Sequence, residues 1–248
     1  MIYEASILNA IPHICVSEVT DSVLTTDLLY VLFTSGSTGV PKGVMITHGG
    51  IIDLIEWVAD YLNVDSTSVF GNQTLLYFSF SVYDIYLNIK SGATTYIVPQ
   101  DLFLKPKSLM QYLFVNKIST LVWVPSALKL VSRFHALQSP YLPELREVWF
   151  GGEAMSAADL NQWIEVYDKV NFVNLYGSTE VTDTCTFYKV PGMLDPTKPI
   201  PIGKPCRNKE IILLDKDNHI VKDSEQGEIC VRGCGLSQGY ICDEDITV

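Results

Sequence analysis

Short apolar runs alternate with amphipathic segments along most of the chain. The runs are five to eight residues long and rich in aliphatic and aromatic residues, which is typical of buried strands. They lie at 28–34, 43–47, 93–99, 119–125, 145–152 and 170–177. Segments 49–62, 108–117 and 157–169 instead place their apolar residues at helical spacing. This alternation predicts an α/β fold, a largely parallel sheet covered by helices.

The pattern changes near residue 190. Residues 191–205 contain five prolines and are not expected to form a helix. Two short strand patterns follow at 210–215 and 227–233, with the turn Lys-Asp-Asn-His after the first. We therefore predict an α/β core over 1–189 and a β-rich subdomain over 190–248.

Charge and cysteine usage restrict the function classes. The chain of 248 residues carries a net charge of −11, which argues against binding to nucleic acid or to an anionic membrane surface. Its six cysteines are scattered without a Cys-x-x-Cys pair, which favours reduced thiols over a disulfide framework or a zinc site. Neither a signal peptide nor an apolar run of about 18 residues is evident, so the sequence predicts a cytoplasmic protein.

A glycine-rich loop separates the first two predicted strands. Its sequence, Thr34 to Gly43, reads TSGSTGVPKG. A Walker loop requires Gly before and Ser or Thr after its lysine, whereas Pro41 and Gly43 flank Lys42 here. Glycines that turn backbone N–H groups inward, hydroxyl donors and a lysine nevertheless suit a bound polyphosphate.

Four sequence blocks resemble the signatures of adenylate-forming enzymes, the superfamily of acyl-CoA synthetases, luciferases and peptide-synthetase adenylation domains. The first is the glycine-rich loop, and the others follow in the family's order: FGGEAM at 150–155, NLYGSTEVT at 174–182 and GEICVRGCGLSQGY at 227–240. The segments YFSFSVYDIY and DLFLKPKSLMQYL look most like amino-acid–carrier-protein ligases such as D-alanine–carrier-protein ligase.

The resemblance implies a two-step reaction with ATP and Mg²⁺. A carboxylic acid would form an acyl-adenylate, which would pass to the phosphopantetheine thiol of a carrier protein, or to CoA. The catalytic residues implied are Lys42, Thr179 at the α-phosphate and Glu180 as the Mg²⁺ ligand. Those implied to hold the phosphates are Thr34, Ser35, Gly36, Ser37, Thr38, Gly39 and Lys42. Those implied around the nucleoside are Gly151, Gly152, Glu153, Ala154, Asn174, Tyr176 and Gly177.

The acid pocket departs from the family pattern. Members that activate amino acids carry Phe-Asp-x-Ser, whose Asp pairs with the substrate ammonium, but Ser79 stands at that place. Either the substrate lacks an α-amino group, as a hydroxy, keto or aryl acid does, or another carboxylate serves, with Asp183 favoured over Asp84. The pocket residues implied are Ser79, Phe80, Tyr83, Trp123, Trp149, Gly151, Leu175 and Asp183. Their bulk predicts a small acid, with glycine, alanine or β-alanine favoured.

The family pattern continues past this chain. A Tyr-x-Thr-Gly-Asp block that holds the ribose, and a mobile C-terminal lid with a catalytic lysine, have no counterpart here. We therefore expect weak nucleotide binding and little turnover from this chain alone. Two alternatives stay open at this point: a CoA ligase of the same superfamily, and an inactive fragment that binds a nucleotide.

Overall fold

The computed structural model describes residues 22–34, 41–221 and 225–241. The helices are α1 His48–Tyr61, α2 Ser81–Ser91, α3 Pro106–Val115, α4 Pro125–Arg133 and α5 Ala157–Val166, with 3-10 turns at Gln100–Leu104 and Thr179–Val181. The strands are β1 Leu28–Thr34, β2 Lys42–Thr47, β3 Val69–Asn72, β4 Thr94–Ile97, β5 Thr120–Trp123, β6 Glu147–Gly151, β7 Asn171–Tyr176, β8 Thr186–Lys189, β9 Lys204–Pro205, β10 Lys209–Leu214, β11 Glu228–Gly233 and β12 Tyr240–Ile241.

A seven-stranded sheet forms the centre of the described structure. Its order is β4-β3-β5-β6-β7-β8-β9, and the five strands from β4 to β7 are parallel. Strands β8 and β9 extend it in antiparallel pairing. The predicted helix-covered, mostly parallel sheet is confirmed. No helix among the described residues is long and apolar enough to cross a membrane.

The strands at the middle of the sheet are buried on both faces. Along β6, Val148 and Phe150 join the core formed with α3, α4 and α5, whereas Trp149 joins the core formed with α1 and α2. This alternation follows from the two-residue period of a strand. It explains why these strands read as continuous apolar runs in the sequence.

The segment after residue 190 returns to the first part of the chain. Strand β9 pairs with β8 of the central sheet, and β12 pairs with β2 beside the glycine-rich loop. Of the strands described after residue 190, β10 and β11 form a separate two-stranded sheet. A domain boundary near residue 190 therefore stays a prediction, and these two pairings bring later residues back to the core.

Asp84 is a buried acid in the first turn of α2. Its side chain accepts one hydrogen bond, 2.7 Å from Asn72 Nδ2, and among the described residues its Oδ1 atom has no partner. Burial raises the pKa of Asp84 to about 7 from its ordinary value of 3.8. Below pH 4 both the folded and the unfolded chain hold this proton. Between pH 4 and 7 only the folded chain holds it, so stability falls as the pH rises through this range.

We expect Asp84→Asn to remove this loss of stability. One pKa unit corresponds to about 1.4 kcal/mol, so the wild-type free energy of unfolding should fall by on the order of 4 kcal/mol from Asp84 between pH 4 and 7. Urea unfolding at pH 4.5 and 7.5 measures this difference. Asp168→Asn, at an exposed position, is the control. An equal pH dependence in the wild type and Asp84→Asn would contradict the prediction.

Candidate functional site

A cavity of about 450 Å³ opens at the carboxyl ends of the parallel strands. Its walls include the residues that directly follow four of them: Gln73 after β3, Val124 after β5, Gly152 after β6 and Gly177 after β7. Ligands of open α/β sheets bind at this edge, where the loops after the strands converge. The fold therefore brings segments far apart in sequence to one site.

Asp183 and Ser79 meet at one side of this cavity. Ser79 Oγ donates a hydrogen bond of 2.7 Å to Asp183 Oδ1, and both residues line the wall. Asp183 is 9% exposed, and burial raises the pKa of its carboxyl although hydrogen bonds from Ser79 and Tyr83 oppose this shift. Asp84, the other candidate acid, is not among the lining residues. Phe80 and Leu175 also line the cavity as predicted.

Three predicted pocket aromatics lie behind the wall instead of forming it. Trp123 donates its indole N–H to the Gly71 carbonyl at 2.7 Å and packs into the core on the far face of the sheet. Trp149 is fully buried and donates to Glu147. Tyr83 is fully buried, with its hydroxyl 2.6 Å from Thr184 Oγ1. Since none of the three lines the cavity, their bulk does not narrow it and does not favour a small acid.

The turn after β7 joins the cavity to the glycine-rich loop. Glu180 Oε1 accepts a hydrogen bond of 2.9 Å from the Tyr240 hydroxyl, and Lys42 Nζ lies 5.3 Å from the centre of the Tyr240 ring. Burial acts to raise the pKa of Glu180, but hydrogen bonds from Ser178 and Tyr240 and the charge of Lys42 hold it below its ordinary value. Thr179, the preceding residue, lines the cavity.

A second cavity of about 360 Å³ adjoins the first. Gly152, Glu153, Leu175 and Gly177 line both of them. The residues predicted around the nucleoside that line it are Gly152, Glu153, Ala154, Asn174, Tyr176 and Gly177, with Pro199, Ile200 and Ile202 opposite. The predicted residue Gly151 precedes them at the end of β6, where a side chain would come 2.5 Å from the Leu175 carbonyl. The result is a mostly apolar slot with a half-exposed aromatic ring, a shape suited to a flat base.

Glu153 has a structural partner as well as a place in both cavities. Its carboxylate accepts hydrogen bonds from the Ser126 N–H at 3.0 Å and from the Ser126 hydroxyl at 3.1 Å. It thereby caps the start of α4, which is a favourable place for a negative charge. Contacts from Glu153 to a nucleoside would then come from its backbone or its methylene groups.

Both ends of the glycine-rich loop are described. Thr34 and Lys42 pair across the β1–β2 hairpin, with Thr34 Oγ1 3.5 Å from the Lys42 carbonyl. The predicted phosphate-binding residues Ser35, Gly36, Ser37, Thr38 and Gly39 lie outside the described residues. Among those described, no group of three or more His, Cys, Asp or Glu side chains is arranged to hold a metal ion.

Several residues at the site were not predicted from the sequence. Tyr240 lies in a recognised block, but no local pattern indicates its hydrogen bond to Glu180. Thr184 lines the cavity next to Asp183. Lys209 is buried and donates hydrogen bonds to the carbonyls of Val181 and Thr184. In the sequence it is a single lysine before an apolar strand, which predicts an exposed side chain.

Comparisons with known proteins agree with this geometry. The family model described as AMP-binding enzyme matches residues 8–241. The D-alanine–D-alanyl carrier protein ligase of Bacillus licheniformis is 32% identical over 222 residues, which is 89% of this chain and 44% of the ligase. The L-proline–[L-prolyl-carrier protein] ligase of Pseudomonas fluorescens is 34% identical over 216 residues, 86% of this chain and 43% of that protein.

The fold has solved counterparts. The crystal structure of IdnL1 superposes with a TM-score of 0.83 and 27% identity, over 92% of this chain and 46% of that chain. The chain thus spans slightly less than half the length of the proteins it matches.

Proposed function

Because this chain belongs to the AMP-binding enzymes, we propose that it activates a small carboxylic acid with ATP for transfer to a carrier-protein thiol. The acid's carboxylate oxygen bonds to the α-phosphorus, the bond between the α-phosphorus and its bridging oxygen to the β-phosphate breaks, and pyrophosphate leaves with the electron pair. The products are the acyl-adenylate and pyrophosphate. The observation that carries this proposal is the cluster of Lys42, Tyr240 and Glu180 beside a cavity that contains Asp183.

The phosphate end of the site has to offset charge repulsion. The attacking carboxylate and the triphosphate are both anionic, so positive charge and donors must stabilise the transition state. Lys42 supplies a point charge, and Thr179 supplies a hydroxyl at the cavity wall. The glycine-rich loop from Thr34 to Lys42 begins and ends at the hairpin that carries this lysine.

The donor set around Glu180 fits a magnesium ion that is shared with the substrate. Mg²⁺ is usually bound by one or two carboxylates together with substrate phosphates, not by a complete protein cage. Glu180 is a carboxylate with a pKa below its ordinary value, and Tyr240 orients it by a hydrogen bond. The bound ion would neutralise phosphate charge, and Glu180 is the residue that would hold it.

The acid end of the site favours a substrate that carries an amine. Asp183 is a buried carboxylate at the cavity wall, and a buried charge is costly unless an opposite charge pairs with it. The nearby Lys209 ammonium is hydrogen-bonded to backbone carbonyls, so a substrate ammonium would supply the direct partner of the carboxylate. Ser79 orients this carboxylate from the position where the family's Asp stands. Since the cavity is shared with the segments around the nucleotide, only part of it is open to the acid, which favours glycine, alanine or β-alanine.

The thiol that accepts the acyl group is proposed from the names of the relatives. The two relatives described above are both named as carrier-protein ligases, and each aligns over more than four-fifths of this chain. A carrier-protein phosphopantetheine is therefore favoured over CoA as the thiol.

ATP–pyrophosphate exchange with a panel of acids tests the proposal. We expect exchange above background with glycine, alanine or β-alanine, and at least about tenfold less with propionate, lactate and phenylalanine. Calorimetric binding of the same acids in the presence of Mg²⁺ and α,β-methylene-ATP gives a second measurement that does not require turnover. Preference for propionate or a large aromatic acid in both measurements would overturn the substrate assignment. Absence of nucleotide binding would overturn the ligase itself.

A further inference from the structure

Lys209, the first residue of β10, binds the loop that carries Asp183. Its side chain is buried, and Nζ donates hydrogen bonds of 2.7 Å to the Val181 carbonyl and 2.6 Å to the Thr184 carbonyl. These two carbonyls lie on either side of Thr182 and Asp183. A lysine is rarely buried unless its ammonium is paired with other polar groups.

The two residues between those carbonyls are held in an unfavourable conformation. Thr182 has φ 52° and Asp183 has φ 69°, so both lie in the left-handed region. A side chain other than glycine is strained in this region, and β-branched threonine is especially disfavoured there. The surrounding structure must therefore stabilise this turn.

Contacts from the later part of the chain supply that stabilisation. Besides Lys209, the Gly235 carbonyl accepts a hydrogen bond of 2.6 Å from Thr182 Oγ1. Within the turn's own segment, the Asp183 N–H donates a hydrogen bond of 3.0 Å to the Ser178 carbonyl. Contacts from β10 and from the residues after β11 therefore stabilise the shape of this turn.

The charge of Lys209 also acts on the acid end of the cavity. Burial raises the pKa of Asp183, and the nearby ammonium of Lys209 is one of the groups that oppose this shift. The ammonium is hydrogen-bonded to the backbone carbonyls of Val181 and Thr184, whereas Asp183 itself lines the cavity.

We propose that Lys209 is a positioning residue for the acid site. It fixes the Thr182–Asp183 turn and places a positive charge near the carboxylate, so that the site selects acids with an amine. This inference rests on the proposed function, in which Asp183 binds the substrate ammonium. It adds a residue from outside the recognised blocks to the determinants of substrate choice.

Lys209→Met tests the inference, because methionine keeps an unbranched apolar stem and removes the ammonium. Lys209→Gln, with an amide donor but no charge, is a second variant in case the first does not fold. Lys216→Met, at an exposed position in the turn of the same hairpin, is the matched control. Binding of β-alanine, propionate and α,β-methylene-ATP to the 248-residue chain is measured by calorimetry, with circular dichroism to monitor folding.

We expect Lys209→Met to lower the preference for β-alanine over propionate by about tenfold, with nucleotide binding changed by less than about twofold. In an Asp183→Asn background the same substitution should have no further effect on this preference, since Lys209 acts through Asp183. An unchanged preference in Lys209→Met overturns the inference and leaves the proposed function intact. Loss of folding in both Lys209 variants assigns this residue to stability alone and also overturns it. A wild-type chain without preference overturns the ammonium site itself.

Discussion

Asp183→Asn is expected to abolish the chain's preference for acids that carry an amine. The substitution removes the negative charge and keeps the size of the side chain. Asparagine tolerates the left-handed backbone that Asp183 adopts, so the turn itself should persist. Removing the charge of one partner in a buried charge pair costs about 2–5 kcal/mol, so β-alanine binding should weaken by about 30- to 5,000-fold. Propionate binding should be unchanged or slightly stronger.

Two further variants separate charge from hydrogen bonding at this site. Ser79→Ala removes the 2.7 Å hydrogen bond to Asp183 but keeps the carboxylate, so its effect should be smaller, about tenfold or less. The reciprocal exchange, Ser79→Asp with Asp183→Ser, keeps one carboxylate in the pocket and moves it to the position of the family's Asp. If Asp183→Asn still binds β-alanine in preference to propionate, Asp183 is not the ammonium partner.

Strands β4, β5, β6 and β7 of the central sheet could be predicted because each lies within an apolar run. The short strands β3, β8 and β9 of the same sheet were not predicted. The helices α2 and α4 were not predicted, for local reasons. Helix α2 is rich in aromatic and β-branched residues, which favour strands. Helix α4 begins at Pro125, with only Val124 between it and β5, so the predicted strand 119–125 includes the first residue of the helix.

The site was predictable where it depends on contiguous segments. The segments after β6 and β7 each carry their residues within a few positions, and the parallel order of these strands brings them to one edge. Contacts that depend on pairing between strands far apart in the sequence leave no such local pattern. Tyr240 reaches Glu180 only because β12 pairs with β2.

The aromatic residues show a second limit of sequence reasoning. Position within an apolar run predicts that Trp123 and Trp149 are buried, which the structure confirms. It does not say whether such a side chain ends at a cavity wall or within a packed core, because that depends on the strands and helices beside it. Trp123 packs against Phe103 on the side of α3, α4 and α5, away from Asp183.

Glu180→Gln is expected to have the largest effect on the proposed reaction. Glutamine can still accept the hydrogen bond from Tyr240, so the change removes charge with little change in shape. Loss of one preorganised group that stabilises transition-state charge lowers rates by about 100- to 1,000-fold. Pyrophosphate exchange should fall by that factor. The dependence of nucleotide binding on Mg²⁺ concentration, measured by calorimetry, should be largely lost.

Two control variants distinguish loss of the Glu180 carboxylate from loss of its hydrogen bond and from a change in net charge. Tyr240→Phe removes the hydroxyl that donates to Glu180 and keeps the carboxylate, so exchange should fall by no more than about tenfold and binding should still respond to Mg²⁺. Glu165→Gln, at an exposed position on α5, changes net charge by the same amount and should have no effect. If Glu180→Gln responded to Mg²⁺ as the wild type does, the carboxylate would not hold the ion. The proximity of Lys42, Tyr240 and Glu180 would then be structural, and the chemistry would have to reside elsewhere along the cavity.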